Sequence, residues 1–421
     1  MKPAAIHQNL TDANQSSWQM AFIQLAGIIN LPYLSSSILL TQRYSFYSAL
    51  VTVIIGNLIL WIIRFGLVKI SFNKRKSTLD ITHDCFGRIG AYIISFALLL
   101  DALAWFFIHT SVASNLLASF FNFRSFSETN HFIQLSIIIG VTSTALCMEG
   151  MKSLRILASV AFPLLLITFV GTLMSASSST TPYVDAISKD LGGSFSLGGI
   201  SLVLSSSLGS TVDLPTFFRH RRSWQDSINA LTIFQVASLL IGIGALFLAQ
   251  MIHVGLESGE YEVKIFSDQQ KYFLSIFLFI SAIYANVYNV YSSSVGWEVV
   301  APKSLVGRKE YMIIGLALTI FFISFYNMFS LHGLLDIADS SMMNLCIVLF
   351  CFFLTCKIAY KSRNVKEKCL YLLAWLIASA FNMLQVFHYG FISTYVLLTS
   401  ISIIVFFSFM NALLEKNKKC S

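Results

Sequence analysis

Gly27-Ile28-Ile29-Asn30-Leu31-Pro32, near the start of the chain, and Gly209-Ser210-Thr211-Val212-Asp213-Leu214-Pro215, near its middle, decide the fold. Each sets a glycine and then Asx-Leu-Pro inside a run otherwise apolar enough for one unbroken helix. Proline removes a backbone donor and glycine weakens the helix further. In a bilayer, freed backbone groups survive only where protein or a water-filled cavity satisfies them. Matching interruptions in two halves of a membrane chain point to a transporter's central site.

The composition around these breaks agrees. The 421 residues are 56% hydrophobic and 11% charged, whereas a soluble domain carries about 25% charge. At ~20 residues per crossing, twelve spans are predicted, at 18–40, 47–70, 89–118, 131–149, 155–177, 195–212, 228–252, 272–296, 311–327, 333–356, 370–386 and 390–414. The runs do not alternate, which excludes an outer-membrane barrel. Residues 1–17 are polar, and the apolar run that follows is too long for a cleavable signal.

The net charge of +8 is a matter of topology rather than of nucleic-acid binding. With the N-terminus inside, the cytoplasmic turns hold Lys74-Arg75-Lys76, Lys152 and Arg155, Arg219 with Arg221-Arg222, Lys303 with Arg308-Lys309, and Lys361, Arg363, Lys366 and Lys368. The opposite turns hold only Arg43, Arg124, Lys189, Lys264 and Lys271. This asymmetry satisfies the positive-inside rule and puts both termini in the cytoplasm. Seven scattered cysteines form no C-x-x-C, so neither a disulfide framework nor a metal site is expected. Walker A and G-x-G-x-x-G patterns are absent, which removes an ATP-driven pump encoded in this chain. No nucleophile elbow or metal motif suggests an enzyme.

Polar groups inside spans are expensive and mark function by default. Asp101, Trp105 and His109 stand four residues apart on one face of the third span. They read as a cavity wall that stacks on a planar ligand and hydrogen-bonds its edge. In the eighth span, Asn286 and Asn289 share a face with Ser293, fit either for reading a ligand or for bonding between helices. Asp336 and Asp339 share a face of the tenth. Two carboxylates so close do not readily both ionise, so the pair is a candidate for proton coupling.

These residues resemble the nucleobase–cation symporter family, above all bacterial cytosine permeases and, more distantly, the hydantoin permease. The matches run through Ser16, Trp18, Met20, Gln24 and Leu25; Ile55-Gly56-Asn57-Leu58-Ile59-Leu60; Trp105-Phe106; Phe217-Phe218-Arg219 with Arg222; Asn286, Tyr291, Ser293 and Gly296; and Tyr326-Asn327 with Phe329. The resemblance implies an all-α membrane protein of leucine-transporter architecture: five plus five inverted helices, then two more. It implies a site between spans one, three, six and eight, with Trp105 as the stacking residue and His109, Asn286 or Asn289 as ligand contacts. It also exposes departures. Ser207, within Ser205-Ser206-Ser207, stands where a second stacking aromatic is expected, and Ile283 and Tyr284 stand in for the sodium-site hydroxyls. Asp101, Asp336 and Asp339 have no clear counterparts.

The sequence therefore predicts a cytoplasmic tail at 1–17, a first repeat at 18–177, an inverted second repeat at 178–357 and two further spans with a tail at 358–421. The expected protein is a multi-pass permease of the inner (plasma) membrane that imports a small nitrogen-rich heterocycle by alternating access. Gly27, Asn30, Trp105, His109, Ser206, Ser207, Asn286 and Asn289 are its expected substrate contacts. Unwound backbone is expected at Gly27–Asn30 and Ser205–Gly209, with Pro32 and Pro215 shaping the half-helices that follow. Asp101, Asp336 and Asp339 are expected to couple transport to H⁺, favoured over Na⁺, with no cofactor and no resident metal. The expected partners are the lipid bilayer and a small solute, with no nucleic acid; oligomeric state is left open. Two alternatives are a carrier of cationic amines or amino acids, with Asp101 as counter-charge, and a non-transporting sensor.

Overall fold

A computed structural model describes residues 15–30, 34, 36–37, 39–41, 44–120, 128–177, 197–251, 254–255, 262–263, 268–300, 308–326, 331–356, 365–389 and 394–417. The first span opens with α1 (Ser17–Ile28). A capping box starts it: Ser16 Oγ accepts from Gln19 N at 3.2 Å, and Gln19 Oε1 accepts from Ser16 N at 3.1 Å. Helical geometry fails at Ile29 (φ −78°, ψ 81°), and residues 34, 36–37 and 39–41 are helical again. The break falls within the expected stretch.

The second span is α2 (Phe46–Lys74), and the third lies in α3 (Thr78–Phe120). Gly87, at φ 75° and ψ −174°, breaks α3. That positive φ suits glycine alone, and it sets off an elbow, residues 78–86, before the span proper. Then come α4 (Glu128–Cys147), α5 (Met151–Ser177), α6 (Leu197–Thr211), α7 (Leu214–Phe218), α8 (Trp224–Met251), α9 (Asp268–Val300), α10 (Arg308–Phe325), α11 (Leu331–Cys356), α12 (Val365–Tyr389) and α13 (Thr394–Asn417). A short antiparallel hairpin, β1 (Val254–Gly255) with β2 (Glu262–Val263), sits between α8 and α9. Among the described residues, six helices are long and apolar enough to cross a bilayer, and five more carry shorter apolar runs. With the broken first span they account for the twelve crossings. Leu58, Ile167, Leu240 and Ile320 are each more than 60% exposed, as residues facing lipid should be.

The sixth span corrects one expectation. The helix runs straight through Ser205–Gly209 and stops at Thr211; the break is at Val212–Asp213. Ser205 and Ser206 donate their hydroxyls to the carbonyls of Leu202 and Val203 at 3.1 and 3.2 Å. Ser210 and Thr211 donate to Ser207 O. Serines that bond back into their own helix leave its backbone ladder intact. Pro215 instead lies in the first turn of α7, where its missing donor costs nothing.

Contacts between spans reveal the internal symmetry. Span one packs on five, as six does on ten; two on six, as seven on one; three on ten, as eight on five. Spans two and seven, three and eight, and four and nine pack on each other, as pairs astride a twofold axis must. Equivalent spans are five crossings apart and so run in opposite directions. Spans one, two, six and seven form one packed body and three, four, eight and nine another, with five and ten bridging them. The last two spans lie against ten, three and six.

The four–nine contact carries this symmetry in its residues. Ile138-Ile139-Gly140 followed by Thr144, and Ile313-Ile314-Gly315 followed by Thr319, repeat one pattern. A Cβ on Gly140 would lie 2.4 Å from Thr319 Oγ1, and one on Gly315 2.3 Å from Thr144 Oγ1. Each glycine thus receives the other helix's threonine, the small-residue packing that membrane helices favour. Gly315→Leu forces these helices apart and is expected to cost about 1–3 kcal/mol. A lower thermal midpoint in detergent is the check; an unchanged midpoint contradicts the interlock.

Candidate functional site

Between the two bodies, α9 meets α1 through a line of tyrosines. Tyr284, Tyr288 and Tyr291 follow at spacings of four and three, so they share one face. Tyr284 OH donates to Ile23 O at 3.1 Å, and Tyr288 OH to Gln24 Oε1 at 3.2 Å. A Cβ on Gly27 would stand 3.1 Å from the Tyr288 ring, so the bare glycine lets the ring close onto α1. Asn30, at the break, donates its Nδ2 to Gly27 O at 3.0 Å. That bond satisfies one carbonyl left open by the helix end. Gly27 and Asn30 are thus brought to the contact of spans one and eight.

On another side of α9, Asn286 Nδ2 donates to Thr110 Oγ1 of α3 at 3.0 Å. Trp105 and His109 lie on the same helix as Thr110, stacked with centroids 5.3 Å apart and planes 26° apart. One face of the indole is therefore covered by the protein's own imidazole. His109 is buried, whereas Trp105, Asp101 and Asn289 are half-buried. Among the described residues, the buried amide atoms without a hydrogen-bond partner include three at this contact: Gln24 Nε2, Asn286 Oδ1 and Asn289 Nδ2. Buried polar atoms are nearly always satisfied, so such atoms on two helices of one contact region suit a polar ligand. Ser207 is buried in α6 and Ser206 half-buried, its hydroxyl turned onto Val203 O. Asp336 and Asp339 lie in α11, and their side chains fall outside the described set.

The end that gathers the basic turns is sealed. Phe217 of α7 stacks on Tyr288 at 4.8 Å and meets Tyr291 at 5.4 Å; Tyr291 stacks on Tyr311 at 6.1 Å. Phe217, Phe218 and Tyr291 are buried. Beyond this plug, side chains grip the backbone of the sixth-span break. Thr78 Oγ1 donates to Val212 O at 2.7 Å, and Ser71 Oγ to Pro215 O at 2.6 Å. Arg75 donates to the carbonyls of Arg219, Arg221 and Arg222. Arg221, fully buried, donates to Gln15 O and Ser17 Oγ and faces Asp226 at 3.6 Å, which ties the start of α1 to the turn after α7. Burial, then the Arg219 and Arg75 charges, pull the His220 imidazole down to about 3. It stays neutral and accepts from Arg219 Nε at 3.1 Å.

Sequence reasoning passed over three of these groups and named Tyr284 only in place of a sodium-site hydroxyl. Tyr288 sits in the stretch read for its asparagines, although its spacing from Tyr284 was visible. Thr110 gave no signal. Arg64, a charge deep in the apolar second span, was a signal left unread: it donates from Nε to Thr211 Oγ1 at 3.0 Å and from Nη1 to Gln235 Oε1 at 2.7 Å. Gln235 in turn donates to Asn57 Oδ1 at 2.7 Å. A buried polar chain thus links spans two, six and seven.

Comparison with known proteins supports the architecture. No protein-family model matches the chain, and no curated protein matches it in sequence. Among solved structures, Mhp1, a nucleobase-cation-symport-1 family transporter, in a closed conformation with bromovinylhydantoin bound, superposes with a TM-score of 0.65. The identity is 14%, over 98% of this chain and 95% of that one. The inward-facing conformation of Mhp1 gives 0.60 at 14% identity, over 95% and 91%. A manganese transporter of Eremococcus coleocola gives 0.54 at 12% identity, over 98% and 95%. The chain therefore has this transporter fold, a multi-pass membrane protein with five-plus-five helices and two more. At such identities the likeness speaks for the fold alone.

Proposed function

We propose that the chain is a secondary transporter that moves a small, nitrogen-rich heterocycle by ion-coupled alternating access. The observation that carries this reading is the meeting of two broken spans with spans three and eight, where buried amide atoms are left unpaired. Gln24, Asn286 and Asn289 would read the ligand's polar edge. Trp105 would stack on its plane, on the free face or after His109 moves aside. Gly27 and Asn30 would offer backbone at the first break. The positive-inside asymmetry supports a cytoplasmic location for the sealed, basic end, in an inner or plasma membrane. The heterocycle is preferred over an amine because the unpaired groups are neutral donors and an acceptor.

Coupling to H⁺ rather than Na⁺ is favoured by Tyr284. The resemblance puts a sodium-site hydroxyl at this residue, and here its OH already holds Ile23 O. A bonded tyrosine leaves that carbonyl less able to ligate a cation.

A thermal-shift screen of cytosine, uracil, hydantoin, purines and amines tests the ligand class, because a ligand that binds the folded state raises its midpoint. For the best hit, Trp105→Ala should weaken binding ~10–100-fold, since stacking a base on an aromatic ring is worth about 1–3 kcal/mol. Asn286→Leu should weaken it at least as much, because it removes a directed acceptor. Unchanged affinity in both variants would take the site away from spans three and eight. A response to amines alone would shift the reading to the cationic alternative.

A further inference from the structure

Lys69 continues the lipid-facing stripe of α2. Ile54, Leu58 and Ile62 on that stripe are exposed, and Phe65 and Lys69 follow at the spacings of three and four that keep a residue on one helical face. At ~1.5 Å per residue, Phe46 to Lys69 is about 35 Å of helix, so a hydrocarbon core ~30 Å thick ends near this ammonium. The neighbouring wall is α8, which starts at Trp224 and exposes Val236 and Leu240 further along. The two helices close here on a cage of rings. Phe65 lies 5.4 Å and Phe72 5.8 Å from Trp224, and Trp61 5.7 Å from Phe65. Lys69 Nζ sits over two of them, 5.1 Å from Trp224 and 5.6 Å from Phe65. Cation–π attraction holds an ammonium without neutralising it, and among the described residues no carboxylate pairs with Lys69.

More cations edge the cage. Arg75, exposed, has its Cζ 4.8 Å from the Phe72 ring and donates to the carbonyls of Arg219, Arg221 and Arg222. That grip draws the exposed Arg222 to the same edge. The acid of this turn, Asp226, accepts from Ser223 and Ser17 and faces Arg221 at 3.6 Å; it also lies within electrostatic reach of Arg222. Asp84 is taken up by Lys76 at 2.6 Å. The balance of charge at this edge is therefore positive, beside aromatic rings of the kind that gather at headgroup depth.

We propose that this seam of spans two and seven binds an anionic phospholipid, its phosphate among Lys69, Arg75 and Arg222 and its acyl chains along the apolar stripes of α2 and α8. A lipid phosphate is the counter-charge present at that depth of a membrane. A free anion would gain the charge but not the apolar run, and a zwitterionic headgroup would bring a second cation to a cage that already holds one. The site needs only the membrane fold and stands apart from the solute site.

The test is native mass spectrometry of the full-length protein in detergent, titrated with phosphatidylglycerol and, separately, with phosphatidylcholine of the same acyl chains. The first phosphatidylglycerol should bind at least ~10-fold more tightly than phosphatidylcholine, and its advantage should shrink as salt rises. Lys69→Gln and Arg222→Gln should each weaken it about fivefold, which is the ~1 kcal/mol that one cation gains near an anionic surface. Lys69→Arg should keep it. Lys152, exposed beside Glu149 on another element of the basic end, supplies the control: Lys152→Gln removes the same charge and should leave the affinity unchanged. Equal affinity for the two lipids would overturn the proposal. So would a loss in Lys152→Gln as large as in Lys69→Gln, which would reduce the effect to the net charge of that end. Inorganic phosphate that displaces the lipid at the lipid's own concentration would show an anion site instead. Wild-type thermal midpoints without added lipid report that the variants fold. If Lys69→Gln does not, binding kept by Lys69→Arg and weakened by Arg222→Gln supports the site, and any other result for that pair rejects it.

Discussion

Phe217→Ala is expected to unseal the basic end and shift the molecule about a hundredfold toward the state open on that side. The ring is fully buried, stacked on Tyr288 at 4.8 Å and against Tyr291 at 5.4 Å. Truncating a buried phenylalanine costs ~3–5 kcal/mol through lost transfer energy and the cavity left behind. Most of that loss falls on one conformation. Phe217 belongs to the body of spans one, two, six and seven, whereas Tyr288 and Tyr291 belong to the other, so the contact exists only while the two are closed together. A difference of about 3 kcal/mol between two states moves their ratio more than a hundredfold. Faster exchange confined to α1, α7 and the stretch Tyr284–Tyr291 is the expected readout. A lower thermal midpoint with wild-type exchange in those segments would mean that Phe217 is core packing and seals nothing.

Arg64→Ala should lower stability by about 3–5 kcal/mol, from the cavity a large buried side chain leaves and the buried acceptor it abandons. The guanidinium is 1% exposed and lies 4.6 Å from the Phe234 ring. Its loss leaves Gln235 Oε1 without its donor and a cavity between spans two, six and seven. Arg64→Met separates the two consequences. It fills the volume without a buried charge, so it should recover most of the thermal midpoint in detergent. It cannot bond Thr211, at the edge of the sixth-span break, so solute flux should stay impaired. Arg64→Lys should not restore the tie, because an ammonium lacks the fork that reaches Thr211 and Gln235 together. Full flux in Arg64→Met would reduce Arg64 to a structural residue.

Much of this was legible before any coordinates. Twelve apolar runs gave twelve crossings because crossing a bilayer is a local requirement, met by each helix on its own. The breaks were legible because proline and the residues around it act within a turn. The Asx-Leu-Pro pattern located the second break better than the serine run did. Ser205–Ser207 suggest unwinding only if their hydroxyls compete with the backbone ladder, and in α6 they bond to carbonyls one turn back. Asp101, Trp105 and His109 fell on one face as their spacing required. The same spacing lets Trp105 and His109 stack on each other, as they do.

The sequence by itself determined the membrane class, the number of crossings and the first break, and placed the second only to within a few residues, since each follows from the chemistry of residues within a few positions. Only the tertiary structure decided which helix faces meet. Gly140 is explained by Thr319, Tyr284 by Ile23 and Arg64 by Gln235, and no local pattern joins those pairs. The polar atoms left over at this contact, on Gln24, Asn286 and Asn289, are defined only once the packed helices have matched donors to acceptors. Whether a buried group is satisfied depends on the whole packed arrangement, and that is why the candidate site emerged from the fold.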